Sequence, residues 1–148
     1  MKNLKNLTVN ELKEVIEEAS FLLSVQSGTS SNMEIFYYSI VRCLNKYSIT
    51  SPPFGTFKKQ SYYKKFIDVF NNTESFIDKN FKKVSKVERS KLYSFFTDTI
   101  ISHIKNNTNL QPSIRILINY FQYLPQLIDK SFPGYIENEI LNILLEKI

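Results

Sequence analysis

The chain is poor in glycine and has one cysteine, one histidine and no tryptophan. Its three glycines, Gly28, Gly55 and Gly134, are too few for the turns of an all-β chain of 148 residues, so their scarcity points to helices. A lone cysteine, Cys43, excludes an intrachain disulfide and fits a reducing, cytoplasmic compartment. A lone histidine, His103, excludes multi-histidine zinc sites, and no Glu-x-x-His motif exists to build a di-iron bundle. Long apolar runs are also missing. Ile114–Ile118 is interrupted by Arg115 and Ile140–Leu145 by Asn142, whereas a membrane span takes about 20 residues. The first eight residues lack the apolar run of a signal peptide. No membrane association is expected.

What is present is the material of one helical core. Apolar residues are 43% of the chain, enough for a single domain over residues 1–148 that needs neither metal nor disulfide. Start signals recur before apolar patterns of helical period. Thr8-Val-Asn-Glu11 is a capping box, followed by Val9, Leu12, Val15, Ile16, Ala19, Leu22 and Leu23 on one face, which predicts a helix from about Val9 to Gln26. Ser31-Asn-Met-Glu34 opens a second helix, running to about Tyr47. Residues 48–57 hold Pro52, Pro53 and Gly55 and read as a loop pinned by Phe54 and Phe57. Two short helices are predicted next, Ser61–Phe70 and Thr73–Val84, separated at Asn71-Asn72. Ser85-Lys-Val-Glu88 is a third capping box, for a helix to about Lys105. Pro112 then falls in the first turn of a helix that Pro125 kinks or restarts, and Tyr135–Ile148 is the last helix. The expected fold is all-α: one compact bundle of about six to seven helices.

No catalytic constellation accompanies this fold. His103 lies on a stripe with Thr99, Ile100 and Ile104, as a hydrogen-bonded residue at the core edge would. Asp98, five residues earlier, does not complete a triad spacing. Cys43 sits among Ile40, Val41 and Leu44 as a small buried hydrophobe. Glu14 and Glu18 belong to a solvated face, and Gly55 stands alone, so no glycine-rich phosphate loop exists. The reading is a protein that is not an enzyme, with no cofactor and no metal.

The charge distribution is more informative. Residues 58–91 carry ten basic and four acidic side chains, a net +6, while residues 1–57 are neutral and residues 92–148 carry −1. A nucleic-acid-binding face is expected from Lys58, Lys59, Lys64, Lys65, Lys82, Lys83, Lys86 and Arg89, since each phosphate contact releases a counterion. Lys82, Lys83 and Lys86 flank the capping box at Ser85, where a helix N-terminus attracts phosphate. Lys86 and Arg89, three residues apart, would grip adjacent phosphates. Tyr62 is the aromatic most free to stack on a base. The competing explanation is that these lysines only supply the polar sides of amphipathic helices. A helix-turn-helix over residues 112–131 is a weaker route to DNA, with only Arg115 and Lys130 as basic residues.

The block Gln111-Pro-Ser-Ile-Arg115 with Tyr123-Leu-Pro-Gln-Leu-Ile-Asp-Lys-Ser-Phe-Pro-Gly-Tyr135, and the stretch from Pro52 to Phe66, resemble small helical proteins of unassigned function in phage and mobile-element genomes. The resemblance implies an accessory protein and no particular activity. Two readings of function follow: a small accessory or regulatory protein binding DNA, RNA or another polyanion through residues 58–91, or a protein-interaction module, whether homo-oligomer, subunit, inhibitor or adaptor, with no nucleic-acid contact.

Overall fold

The computed structural model of the chain describes residues 8–27 and 30–134. Among them are seven helices and no strand: α1 (Val9–Ser27), α2 (Asn32–Asn45), α3 (Phe54–Phe57), α4 (Tyr63–Asn80), α5 (Lys86–Asn107), α6 (Ile114–Phe121) and α7 (Leu124–Ser131). The helix expected over residues 135–148 lies outside the described residues. None of the described helices is long and apolar enough to cross a membrane.

The start signals act as local chemistry requires. At α5 the Ser85 hydroxyl accepts the Glu88 N–H at 3.1 Å and the Glu88 carboxylate accepts the Ser85 N–H at 3.1 Å, a complete capping box. At α1 the same exchange joins Thr8 and Glu11. At α2 the Ser31 hydroxyl accepts from the Glu34 N–H and donates to its carboxylate. The start of α6 differs from expectation: Ser113 is its N-cap, accepting from the Ile116 N–H, and the buried Pro112 precedes the helix. A serine side chain can cap an N–H and proline cannot, so the helix begins at Ile114, two residues after the proline. Pro125 stands in the first turn of α7 and restarts the chain direction there.

Helix α2 ends in a Schellman turn. The Ile49 N–H reaches the Leu44 carbonyl at 3.2 Å and the Ser48 N–H reaches that of Asn45 at 3.0 Å, with Ser48 at φ 61°. A side chain at that left-handed position is strained, and glycine adopts it freely. Ser48→Gly is therefore expected to stabilise the fold by roughly 1 kcal/mol in urea titration, and a loss of stability would contradict the geometry.

Two expected helices are one. Helix α4 runs unbroken through Asn71 and Asn72, both exposed, while Phe66, Val69, Thr73 and Ile77 keep a single buried stripe. Asparagine is a mild helix breaker, and burial of a continuous apolar stripe outweighs it. The proline segment likewise contains a helical turn, α3, whose Phe54 and Phe57 are buried as expected.

Helix α2 occupies the centre and packs most extensively against α5. The ring of Phe36, fully buried, meets those of Phe66 and Phe70 from α4, Tyr93 from α5 and Phe121 from α6, with centroids 5.1–5.7 Å apart. The neighbouring Tyr37 holds Phe54 and Phe57 of α3, and its hydroxyl donates to the Pro52 carbonyl. The buried hydroxyls of Ser39, Thr73 and Thr97 each donate within their own helix to the carbonyl four residues earlier. Helix α1 departs from its sequence pattern. Phe21 and Val25 are buried, and the regular stripe of Val9, Leu12, Val15, Ile16, Leu22 and Leu23 is exposed.

Candidate functional site

The basic segment is arranged around α4. Lys58 and Lys59 lie in the turn after α3, Lys64 and Lys65 in the first turn of α4, Lys79 in its last turn, and Lys82 and Lys83 in the link to α5. All seven are exposed. They form two groups, separated by about 22 Å along α4 at 1.5 Å per residue. Helical periodicity places Lys64, Lys65, Asp68, Asn71, Asn72, Ser75 and Lys79 on one side, and each of them is exposed. Lys58 lies over the Phe54 ring at 5.5 Å. Lys59, Lys64, Lys65, Lys79, Lys82 and Lys83 make no ion pair among the described residues. Lys83 holds φ at 52°, a left-handed position occupied by a long charged side chain where glycine would relieve strain.

Two of the expected phosphate ligands sit differently. Arg89 is turned inward, with a side chain only 13% exposed, and pairs with Glu74 at 3.0 Å and Asp78 at 3.0 Å. Burial lowers its pKa, but the Asp78 hydrogen bond and the Glu74 charge outweigh that and hold it above the usual guanidinium value. Lys86 is half-buried at the start of α5 and has an interaction partner. The N-terminus of α5 already carries the Glu88 carboxylate in its capping box, in the place a phosphate would take. The basic surface therefore belongs to the lysines around α4, and the pair Lys86–Arg89 is not arranged as a phosphate grip.

Glu74 is the hub of the polar network that captures Arg89. One carboxylate oxygen accepts the Tyr93 hydroxyl; the other pairs with Arg89 and accepts the Asn32 amide at 3.3 Å. Burial, reinforced by the hydrogen bond to Glu74, holds the Tyr93 phenol well above its ordinary pKa. This cluster joins α2, α4 and α5. Its members are 15, 19 and 42 residues from Glu74 in sequence, so no local spacing signals it.

Tyr62 is also committed. It is half-buried, its hydroxyl donates to the Asn119 side chain at 2.7 Å and to the Arg115 carbonyl at 3.1 Å, and the Arg115 guanidinium stacks 4.8 Å from its ring centre. It ties α4 to α6 and offers no free face to a base. Arg115 and α6 are thereby fixed to the body; Leu117, Ile118, Phe121, Leu124, Leu127 and Ile128 of α6 and α7 are buried, and Gln126, Asp129 and Lys130 are exposed on the other side of α7.

Concavities among the described residues include the following. A cleft of about 520 Å³ lies between α1, α2 and the proline segment, with Glu34, Arg42, Asn45 and Ser51 on its walls. A groove of about 420 Å³ is lined by Asp98, Ser102, His103, Asn107 and Lys130. His103 is half-buried there, its Nδ1 lies 3.4 Å from the Asn107 amide, and its ring faces Tyr120 at 5.8 Å. Asp98 pairs with Lys46 at 3.6 Å on the other side. Cys43 is buried against the Ser94 carbonyl, and burial, with the nearby Asp98 charge, pushes its thiol up to about 12. A thiol so protonated at neutral pH is a poor nucleophile. Among the described residues no group of three or more histidine, cysteine, aspartate or glutamate side chains converges as metal ligands would. The chain matches no protein-family model, no curated protein and no solved structure.

Proposed function

We propose that the protein is a small accessory protein that binds nucleic acid, or a comparable polyanion, along the exposed side of α4. The supporting observation is the set of exposed lysines at both ends of that helix, six of them without an ion pair among the described residues. Of the acidic side chains of α4, Glu74 and Asp78 are spent on Arg89, which leaves Asp68 as the one carboxylate among these lysines. Between the lysine groups the face carries one carboxylate, Asp68, and then Asn71, Asn72 and Ser75, neutral side chains that donate and accept hydrogen bonds. The strained backbone at Lys83 points the same way, since strain retained at a charged surface residue marks a position held for its side chain. Contacts of this kind grip phosphates without reading sequence, so affinity should fall steeply with salt.

The test is fluorescence anisotropy with a duplex, a DNA single strand and an RNA strand across a salt series. Lys64→Glu with Lys65→Glu should weaken binding and reduce the slope of log affinity against log salt by about two, near one per lost phosphate contact. Lys83→Gly should weaken binding while raising thermal stability, a split that a merely structural lysine would not produce. Absence of binding to all three probes at low salt rejects the reading.

A further inference from the structure

We infer that the outer face of α1 is a dimerisation seam that takes the same helix from a second copy of this chain, in parallel. Helix α1 meets the body of the protein through Phe21 and Val25, which are 9% and 4% exposed. On the side away from these two, Val9, Leu12, Ala19 and Leu23 are exposed, and Ile16, which also lines the edge of the cleft shared with α2, is exposed too, with Val9, Ile16 and Leu23 above 60%. Their spacing alternates between three and four residues, the a/d repeat of helices that pack along their length. Val9, Ile16 and Leu23 take position a; Leu12 and Ala19 take position d. With Val15 and Leu22 beside it, the stripe exposes roughly 500 Å² of apolar surface, in the range of the largest patch on a typical monomer.

Four features select a second copy as the occupant. β-branched residues at a with leucine at d favour two parallel strands, and Val9, Leu12 and Ile16 follow that rule. Glu11, the acidic side chain of α1 that the structure describes, falls at c in this register, away from the seam. Phe21 at f and Val25 at c hold each body behind its own helix, so in a parallel pair the two bodies lie on opposite flanks and do not collide. Each helix is already held in place by its body, which removes the ordering cost that makes short isolated helices weak partners. The seam supplies the greater part of the roughly 800 Å² per partner of a standard interface. The inference is independent of the polyanion reading, which concerns α4.

Light scattering and sedimentation equilibrium of the full chain test it. The expected result is twice the chain mass at high micromolar concentration, falling towards the single-chain mass on dilution. Ile16→Glu with Leu23→Glu should give the single-chain mass throughout with an unchanged far-UV spectrum, since both side chains are exposed in the monomer. Ile16→Cys should form an interchain disulfide on mild oxidation, because in a parallel pair each a residue faces its own mate; the buried Cys43 does not compete. A wild-type chain of single mass at every concentration overturns the inference, whether another protein or residues 135–148 of the same chain cover the stripe. A dimer in which Ile16→Cys does not cross-link overturns it equally. These two measurements decide the matter even if the double glutamate variant fails to fold.

Discussion

Phe36→Ala should cost about 4 kcal/mol of folding stability, within the range for a fully buried phenylalanine. Its ring is the point at which α2, α4, α5 and α6 meet, through Phe66, Phe70, Tyr93 and Phe121. Truncation removes the buried ring, and the four neighbours belong to helices that are each held elsewhere, so they do not close in together. Part of the lost energy is therefore a persisting cavity rather than transfer alone. Urea unfolding should show a lower midpoint at an unchanged slope. Leu110→Ala, at a residue 49% exposed, should stay within about 1 kcal/mol of the parent. Equal effects at the two positions would refute the arrangement of the core. A loss of this size is a large share of the roughly 5–15 kcal/mol that a domain has.

Glu74→Ala is expected to cost about 3 kcal/mol, although it removes a charged side chain with some solvent access. The reason is what it leaves behind. The Tyr93 hydroxyl and the Asn32 amide lose their acceptor, and Arg89, 13% exposed, keeps only Asp78, itself 67% exposed. The figure sits at the lower end for a broken buried pair because Glu74 is 19% exposed and water relieves part of the deficit. The converse substitution separates the network from simple packing. Glu74→Met combined with Arg89→Met removes both charges together and should cost less than Glu74→Ala alone. If the double variant is as unstable as the two single losses added, the pair contributes by shape and not by charge compensation.

The Glu74 network bears on the reading of the surface. Ten basic residues in residues 58–91 look like one patch when they are counted along the chain. The fold withdraws Arg89 into an internal pair and gives the N-terminus of α5 to Glu88. It leaves exposed lysines at the two ends of α4. Under the proposed function, the residues that would release counterions from phosphate are these lysines. The pair Lys86–Arg89 drops out because arginine beside two carboxylates satisfies itself within the protein.

Much of the fold was legible because its determinants are local. The cap bonds of Thr8, Ser31 and Ser85 join residues three apart, so their spacing alone places the starts of α1, α2 and α5. Cys43 and Phe57 sit where neighbouring apolar residues predict burial. Other features were not legible. Asn71 and Asn72 spell a break, but α4 passes through them because the buried stripe on its far side continues from Phe66 to Ile77. Tyr62 looks free for stacking, yet its partners Arg115 and Asn119 lie 53 and 57 residues away.

The same division holds for the features with which the sequence opens. Scarce glycine, apolar residues at helical spacing and repeated capping signals by themselves point to an all-helical fold, because helix initiation and backbone hydrogen bonding act over a few residues. Only the tertiary structure decided which side of α1 turns inward, which basic residues remain exposed, and which carboxylate organises the interior. Those outcomes depend on pairs of groups distant in sequence, whose charges and apolar surfaces meet only after the helices have packed.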